Sequence, residues 1–228
     1  MSDHVHDLAL VREATERLLT AAAKTDEAGV TGSSRLPGWT RGHVLTHLAR
    51  NGDALVNVLS GRPMYASAEA RDSDIEQGAD RPLAEQLDDV RETAARFQDA
   101  ATGYPDWTRI VELRGGVTDT ASRIPFRRLV EVELHHVDLG IGYELEDLPA
   151  EFTEREIDFL ADRFAGNAAV PRIQITASGV GQWSTGRPDG DAVSVIGPAP
   201  DVLGWLAGRR EGAGLECDGP LLPVLPSL

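Results

Sequence analysis

Two predicted helices carry the residues whose types and spacing could bind a metal ion. Glu131 and His135 are four residues apart, so their side chains stand one above the other on the same helix face. They lie between two apolar arcs of that helix, where a buried charge needs a partner. His47 lies at the edge of the apolar arc of another helix. Two imidazoles and one carboxylate would bind a divalent cation such as zinc and leave one coordination position open.

The same residues also have structural explanations. A Glu and a His at this spacing often form a pair on a helix surface, and a histidine beside an apolar stripe can be a core residue. Asp138 could accept a hydrogen bond from the second ring nitrogen of His135. His136 points away from His135 and is interpreted as structural. We expect His4 and His6 to lie in a mobile N-terminus.

A bundle of four predicted helices would position these candidates. In residues 8–28, apolar side chains recur at helical spacing. Thr40 is expected to cap the second helix, which should end near Gly61. Pro82 opens a third helical pattern, and Pro125 introduces a fourth that continues to about residue 143. Four helices in this part of the chain predict a four-helix bundle.

The pattern changes after Pro149. Thr153 and Glu156 match a capping box and predict a helix through about Phe164. Short β-like runs, turns rich in Gly and Pro, and one short helix follow, at residues 172–178, 192–197, 200–210 and 214–217. The predicted fold class is therefore an N-terminal helical bundle followed by a small α+β domain. We expect residues 1–148 to form the metal-binding bundle and residues 149–228 to form the second domain.

Composition excludes several classes of protein. Of 228 residues, 22 are Lys or Arg and 37 are Asp or Glu, so the net charge of −15 argues against nucleic-acid binding. No run approaches the roughly 20 apolar residues of a membrane span, and the N-terminus lacks the pattern of an export signal, so we expect a cytoplasmic protein. The single cysteine, Cys217, excludes an internal disulfide, and thiol chemistry would need an external thiol. No pattern indicates an oligomeric state.

Four segments carry a resemblance to a known family. They are LPGWTRGHVLTHLARNGDAL, PMYASAEARDSDIEQGA, EVELHHVDLG and GPAPDVLGWLAGR. In this order they resemble the mycothiol-dependent maleylpyruvate isomerase family, whose N-terminal half is a DinB-like four-helix bundle. The resemblance implies that zinc is bound by His47, Glu131 and His135. It also implies that Arg209, in the second domain, is the arginine needed for activity.

The resemblance also implies a reaction. The enzyme would be a cis–trans isomerase that converts maleylpyruvate into fumarylpyruvate in gentisate breakdown, with zinc and mycothiol as cofactors. Addition of a thiolate to the conjugated double bond leaves a single bond that can rotate before the thiolate departs, and zinc would lower the pKa of the thiol. A mycothiol S-transferase acting on another electrophile would use the same residues. A non-catalytic metal- or ligand-binding module is the third alternative.

Arginines must bind the dianionic substrate, because the net negative charge of the protein would repel it. Arg209 is the first candidate, since a guanidinium can bind a carboxylate through two hydrogen bonds. Alternatively, Arg209 could simply favour a helix C-terminus. The adjacent Arg210 could be the residue that matches the family instead. Arg41, Arg50 and Arg71 are weaker candidates. The sequence departs from the family pattern at Val130, where members often have an arginine before the ligand glutamate.

Overall fold

The computed structural model describes residues 3–226, which divide into two compact units on either side of the bond between Tyr143 and Glu144. The described part of the first unit contains six α-helices: α1 (His4–Ala22), α2 (Glu27–Thr31), α3 (Arg41–Leu59), α4 (Ala68–Gly78), α5 (Leu83–Thr102) and α6 (Ile124–Asp138). It also contains the antiparallel pair β1 (Ile110–Glu112) and β2 (Thr118–Thr120). Within residues 3–226, no helix has the length and apolar character needed to cross a bilayer.

Four long helices form the bundle of the first unit. α3 packs against α5 and α6, and α1 packs against the same two helices, which closes a ring of four around an apolar core. Gly52 lets α3 approach α5 closely, because a Cβ at this position would lie 3.1 Å from the Thr93 Cβ. The core between these helices includes Leu18, Leu48 and Phe97, each at most 1% exposed. The predicted helical bundle is confirmed.

Local chemistry sets the boundaries of the helices. Thr40 begins α3 as predicted: its hydroxyl accepts a hydrogen bond from the His43 amide, and the His43 ring accepts one from the Thr40 amide. α6 ends at Asp138, before residue 143, because Gly140 and Gly142 follow with φ of +63° and +94°.

Several expected boundaries were wrong. α1 ends at Ala22, and a separate short helix, α2, begins at Glu27, near the end of the range 8–28 that was predicted as one helix. His4 lies in the first turn of α1, which Asp3 caps, so the expected mobile terminus is instead helical there. The polar segment before α5 forms α4, which Ser67 caps.

The second unit is built from two helices and a four-stranded sheet. Its elements are α7 (Ala150–Phe164), β3 (Ile173–Ala177), β4 (Gly181–Thr185), β5 (Val193–Gly197), α8 (Ala199–Leu206) and β6 (Glu216–Cys217). The strand order is β4-β3-β5-β6, with β3 and β5 parallel and the outer pairs antiparallel. The α+β character is confirmed. However, α7 begins at Ala150 after Pro149, so Thr153 is a buried residue within the helix and not its cap.

Candidate metal centre

The packing of α3 against α6 brings together the three predicted metal ligands. His47, Glu131 and His135 each offer one ligand atom, and these atoms lie within 4.8 Å of one another. Oε2 of Glu131 is 3.0 Å from Nε2 of His47 and 3.2 Å from Nε2 of His135. The two imidazole rings meet edge to face, with centroids 4.7 Å apart. The residues therefore converge as expected, and ion binding stays a prediction.

The chemistry of the three donors suits a divalent cation. Two imidazole nitrogens and one carboxylate oxygen are a ligand set of catalytic zinc sites, which keep a fourth position for water or substrate. The His135 ring is oriented by Asp138, whose Oδ2 lies 2.8 Å from Nδ1 and whose side chain is fully buried. This contact with Asp138 directs Nε2 towards Glu131, and in a neutral ring that keeps its proton on Nδ1 the lone pair of Nε2 would be available to a metal ion. The residues present therefore fit a bound metal ion.

Electrostatics keep the carboxylate of the cluster ionised. Burial opposes ionisation of Glu131, but hydrogen bonds from His135 and His47 outweigh it and hold the pKa of Glu131 well below its usual value. Burial lowers the pKa of His47 despite the attraction of Glu131. Burial also acts to lower the pKa of His135, but the contacts with Asp138 and Glu131 raise it overall.

Arg71 and Trp39 lie beside His47, and Tyr65 lies next to Arg71. Nη2 of Arg71 lies 3.2 Å from Nδ1 of His47. Because a guanidinium can only donate, Nδ1 accepts this hydrogen bond, and the ring proton of a neutral imidazole then sits on Nε2. The Arg71 guanidinium lies 5.8 Å from the centre of the Tyr65 ring, and the Trp39 ring lies 5.5 Å from the His47 ring. Sequence reasoning missed Tyr65 and Trp39, although Trp39 directly precedes the Thr40 cap.

A buried arginine, also missed from the sequence, connects the two ligand-bearing helices. Nη1 of Arg128, in α6, donates to the Leu48 carbonyl at 2.8 Å and to Oδ1 of Asn51 at 2.7 Å, both in α3. Arg128 is completely buried. Its position three residues before Glu131 places it on the face of the ligands, and this spacing was the available signal.

The other candidate arginines of the first unit have structural partners. Arg41 donates through Nε to the Leu139 carbonyl at 2.7 Å and through Nη1 to the Gly29 carbonyl at 3.0 Å. Arg50 forms an ion pair with Asp89 at 2.6 Å. These contacts give Arg41 and Arg50 structural roles within the first unit. Among the three weaker candidates, Arg71 is the one that contacts a predicted metal ligand.

In the second unit, the two adjacent arginine candidates have different partners. Arg210 forms 2.7 Å ion pairs with Asp201 and with Glu146, so its charge is neutralised locally. Nη1 of Arg209 donates to the Ala207 carbonyl at 2.7 Å, at the C-terminal end of α8. This contact is the one expected if Arg209 favours the helix terminus. The catalytic role of Arg209 stays a prediction.

The remaining histidine and cysteine side chains have local partners. His136 is 2% exposed and stacks on Tyr143 with ring centroids 4.0 Å apart, in agreement with its structural interpretation. His4 stacks on Trp107 with centroids 4.3 Å apart. The Cys217 thiol, in β6, lies 3.6 Å from the Leu221 carbonyl.

Comparison with known proteins identifies the family. The family model described as the mycothiol maleylpyruvate isomerase N-terminal domain matches residues 11–140, and the model of the family's C-terminal domain matches residues 147–225. Two similar crystal structures are those of a mycothiol-dependent maleylpyruvate isomerase and of a histidine-to-alanine mutant of such an enzyme. Each is 26% identical to this chain with a TM-score of 0.84, and the match covers 99% of this chain and 97% of the other. A search of curated protein sequences found no match. The predicted resemblance is confirmed, and this chain belongs to the mycothiol maleylpyruvate isomerase family.

Proposed function

We propose that the protein is a zinc- and mycothiol-dependent cis–trans isomerase that converts maleylpyruvate into fumarylpyruvate. The observation that carries this proposal is the convergence of His47, Glu131 and His135 within 4.8 Å in a chain of this family. The similar crystal structure is that of an enzyme named for the same activity and the same thiol. The proposed place of the reaction is gentisate breakdown. The cytoplasm, where low-molecular-weight thiols are kept reduced, is the proposed compartment.

The proposed isomerisation is the reversible addition of the mycothiol sulfur to the conjugated double bond. The C–S bond forms as the alkene electrons move onto the adjacent carbonyl. Rotation about the new single bond follows, and return of the electron pair then breaks the C–S bond and leaves a trans alkene. A divalent cation held by His47, Glu131 and His135 would supply the positive charge that favours a thiolate at neutral pH.

Asp138 and Tyr65 of the first unit, and Arg209 of the second unit, are assigned three further tasks. Asp138 holds His135 in the orientation that directs Nε2 towards Glu131, at an Asp138–His135 distance of 2.8 Å. Tyr65 keeps its phenolic proton at neutral pH because burial, together with the charge of Glu131, raises its pKa. Its hydroxyl is therefore available as a hydrogen-bond donor. Arg209 is proposed to stabilise the negative charge that develops on the substrate during addition.

A direct assay tests the proposal. Loss of the cis-alkene absorbance of maleylpyruvate should require both the zinc-loaded protein and mycothiol. The variant His47→Ala should lose zinc and isomerase activity together, whereas His43→Ala, which alters a histidine one turn earlier in α3, should keep both. An inactive zinc-loaded protein would contradict the proposal. Consumption of mycothiol with a different electrophile would then assign an S-transferase.

The two adjacent arginines provide a second comparison. Arg209→Gln should lower kcat about 100-fold if its guanidinium stabilises developing charge. Arg210→Gln removes the same charge but breaks the ion pairs with Asp201 and Glu146, and it should lower thermal stability while leaving kcat near that of the wild type. The reverse pattern would transfer the proposed role to Arg210.

A further inference from the structure

A cleft in the first unit has a local charge opposite to that of the whole chain. It opens between the segment that precedes α4 and the β1–β2 hairpin, and its volume is about 680 Å³. Its ionisable lining residues are Arg62, Tyr65, Arg109, Glu112 and Arg114. Three positive side chains thus face one negative side chain in a chain whose net charge is −15. We call this cleft, with Arg62, Arg109 and Arg114 in its lining, the arginine cleft. It attracts anions locally, although the protein as a whole repels them.

The three guanidinium groups of the arginine cleft differ from other arginines of the first unit in their ion pairing. Within residues 3–226, none of Arg62, Arg109 and Arg114 forms an ion pair, although the chain contains 37 acidic residues. Arg50 and Arg81, in contrast, both form ion pairs with Asp89, at 2.6 and 2.7 Å. A guanidinium group that forms no ion pair has N–H donors available for a carboxylate ligand, which it binds through paired hydrogen bonds.

Tyr65 connects the arginine cleft with the candidate metal centre. The residue lines the cleft, and its ring lies 5.8 Å from the Arg71 guanidinium, which in turn contacts His47. Burial raises the pKa of Tyr65, and the charge of Glu131 raises it further, whereas the charges of Arg71 and Arg114 lower it. The Tyr65 hydroxyl therefore lies within electrostatic reach of both a metal-ligand candidate and an arginine of the cleft.

The tip of the hairpin leaves the rim of the arginine cleft open. Gly115 and Gly116 follow Arg114 with φ of +72° and +75°, in the left-handed region that favours glycine. A Cβ added to either glycine would meet no atom within 4 Å. The backbone beside Arg114 therefore presents no steric barrier to a ligand.

We infer that the arginine cleft binds a carboxylate group of the anionic substrate, with Arg62, Arg109 and Arg114 as the donors. The identity of the substrate rests on the proposed function. The cleft volume falls within the range typical of small-molecule sites. This assignment explains how a strongly acidic protein binds a dianion, because the local arginines offset the repulsion of the overall charge.

Steady-state kinetics of three variants provide the first test. Arg114→Gln should raise the KM for maleylpyruvate about tenfold, the effect of losing a charge-assisted hydrogen bond, and should leave kcat within about twofold. The KM for mycothiol should not change. Arg12→Gln is the matched control, because it removes the same charge from an exposed position on α1 outside the cleft. An unchanged substrate KM in Arg114→Gln, or a raised mycothiol KM, would overturn the inference.

A direct measurement of ligand binding tests the arginine cleft independently of the isomerase reaction. Isothermal titration calorimetry of the zinc-loaded protein with maleate, without thiol, should show binding in the wild type and in Arg12→Gln. Maleamide, the neutral analogue, should bind much more weakly. The triple variant Arg62→Gln, Arg109→Gln, Arg114→Gln should lose maleate binding about 100-fold while keeping its zinc content and its circular dichroism spectrum.

The two experiments also distinguish failure of the cleft from failure of the proposed function. If the wild type lacks isomerase activity but binds maleate through the three arginines, the inference about the cleft is supported and the proposed reaction is wrong. If the wild type is an active isomerase and the triple variant binds maleate as tightly as the wild type, the proposed reaction is supported and the inference about the cleft is wrong. A wild type that binds no maleate likewise overturns the inference.

Discussion

Arg128 provides a quantitative test of how the two ligand-bearing helices are held together. Its guanidinium is fully buried, and among the described residues its Nε and Nη2 have no hydrogen-bond partner, while Nη1 donates to Leu48 and Asn51. Burial lowers the pKa of Arg128 from its usual value to about 10. Because the side chain is charged at neutral pH in both the folded and the unfolded protein, this decrease corresponds to about 3 kcal/mol against folding.

The substitution Arg128→Met removes the buried charge and both hydrogen bonds at once. Hydrogen bonds to a charged group contribute about 1.5–3 kcal/mol each, which roughly offsets the cost of burying the charge. The deciding contribution is then Asn51, which is 2% exposed and loses the donor to its Oδ1. We expect the free energy of unfolding to fall by about 1–3 kcal/mol, the cost of a buried polar group without a partner.

A double-mutant cycle isolates this contribution. Asn51→Leu added to Arg128→Met replaces both partners with apolar side chains, so the double variant should recover most of the lost stability. Urea unfolding of the metal-free wild type, both single variants and the double variant measures each free energy, and chelator competition measures zinc affinity. Zinc affinity should fall about tenfold in Arg128→Met, because α3 and α6 lose a connection one turn from the ligands. Wild-type stability and zinc affinity in Arg128→Met would refute this reasoning.

Three further variants test individual contacts. Asp138→Asn should weaken zinc binding about 10- to 100-fold in a chelator competition, because His135 loses a carboxylate partner; unchanged affinity would contradict the orienting role. Arg71→Gln should tighten zinc binding about tenfold in the same assay, because it removes a positive charge that holds the His47 ring proton on Nε2. Weaker binding would show instead that Arg71 supports the ligand. Gly42→Ala should lower the free energy of unfolding by about 2 kcal/mol in urea, because its Cβ would lie 2.0 Å from the Ala79 carbonyl oxygen.

The sequence alone was sufficient for features that depend on spacing within one helix. The separation of Glu131 and His135 places both side chains on one face of α6, because a helix has 3.6 residues per turn. The same periodicity predicted that Asp138 could reach His135, and the structure contains that contact at 2.8 Å. Thr40 could be assigned as a helix cap because capping depends on local hydrogen bonds.

Only the tertiary structure decided which residues of different elements meet. Arg71 of α4 contacts His47, and Arg128 of α6 contacts Asn51, through packing that no local spacing specifies. Arg50 and Arg114 are both arginines in the sequence, but Asp89 neutralises the first, while within the described part of the chain the second has no ion pair. The physical reason is that periodicity determines the face of a helix, whereas burial and charge pairing depend on neighbours that are distant in sequence.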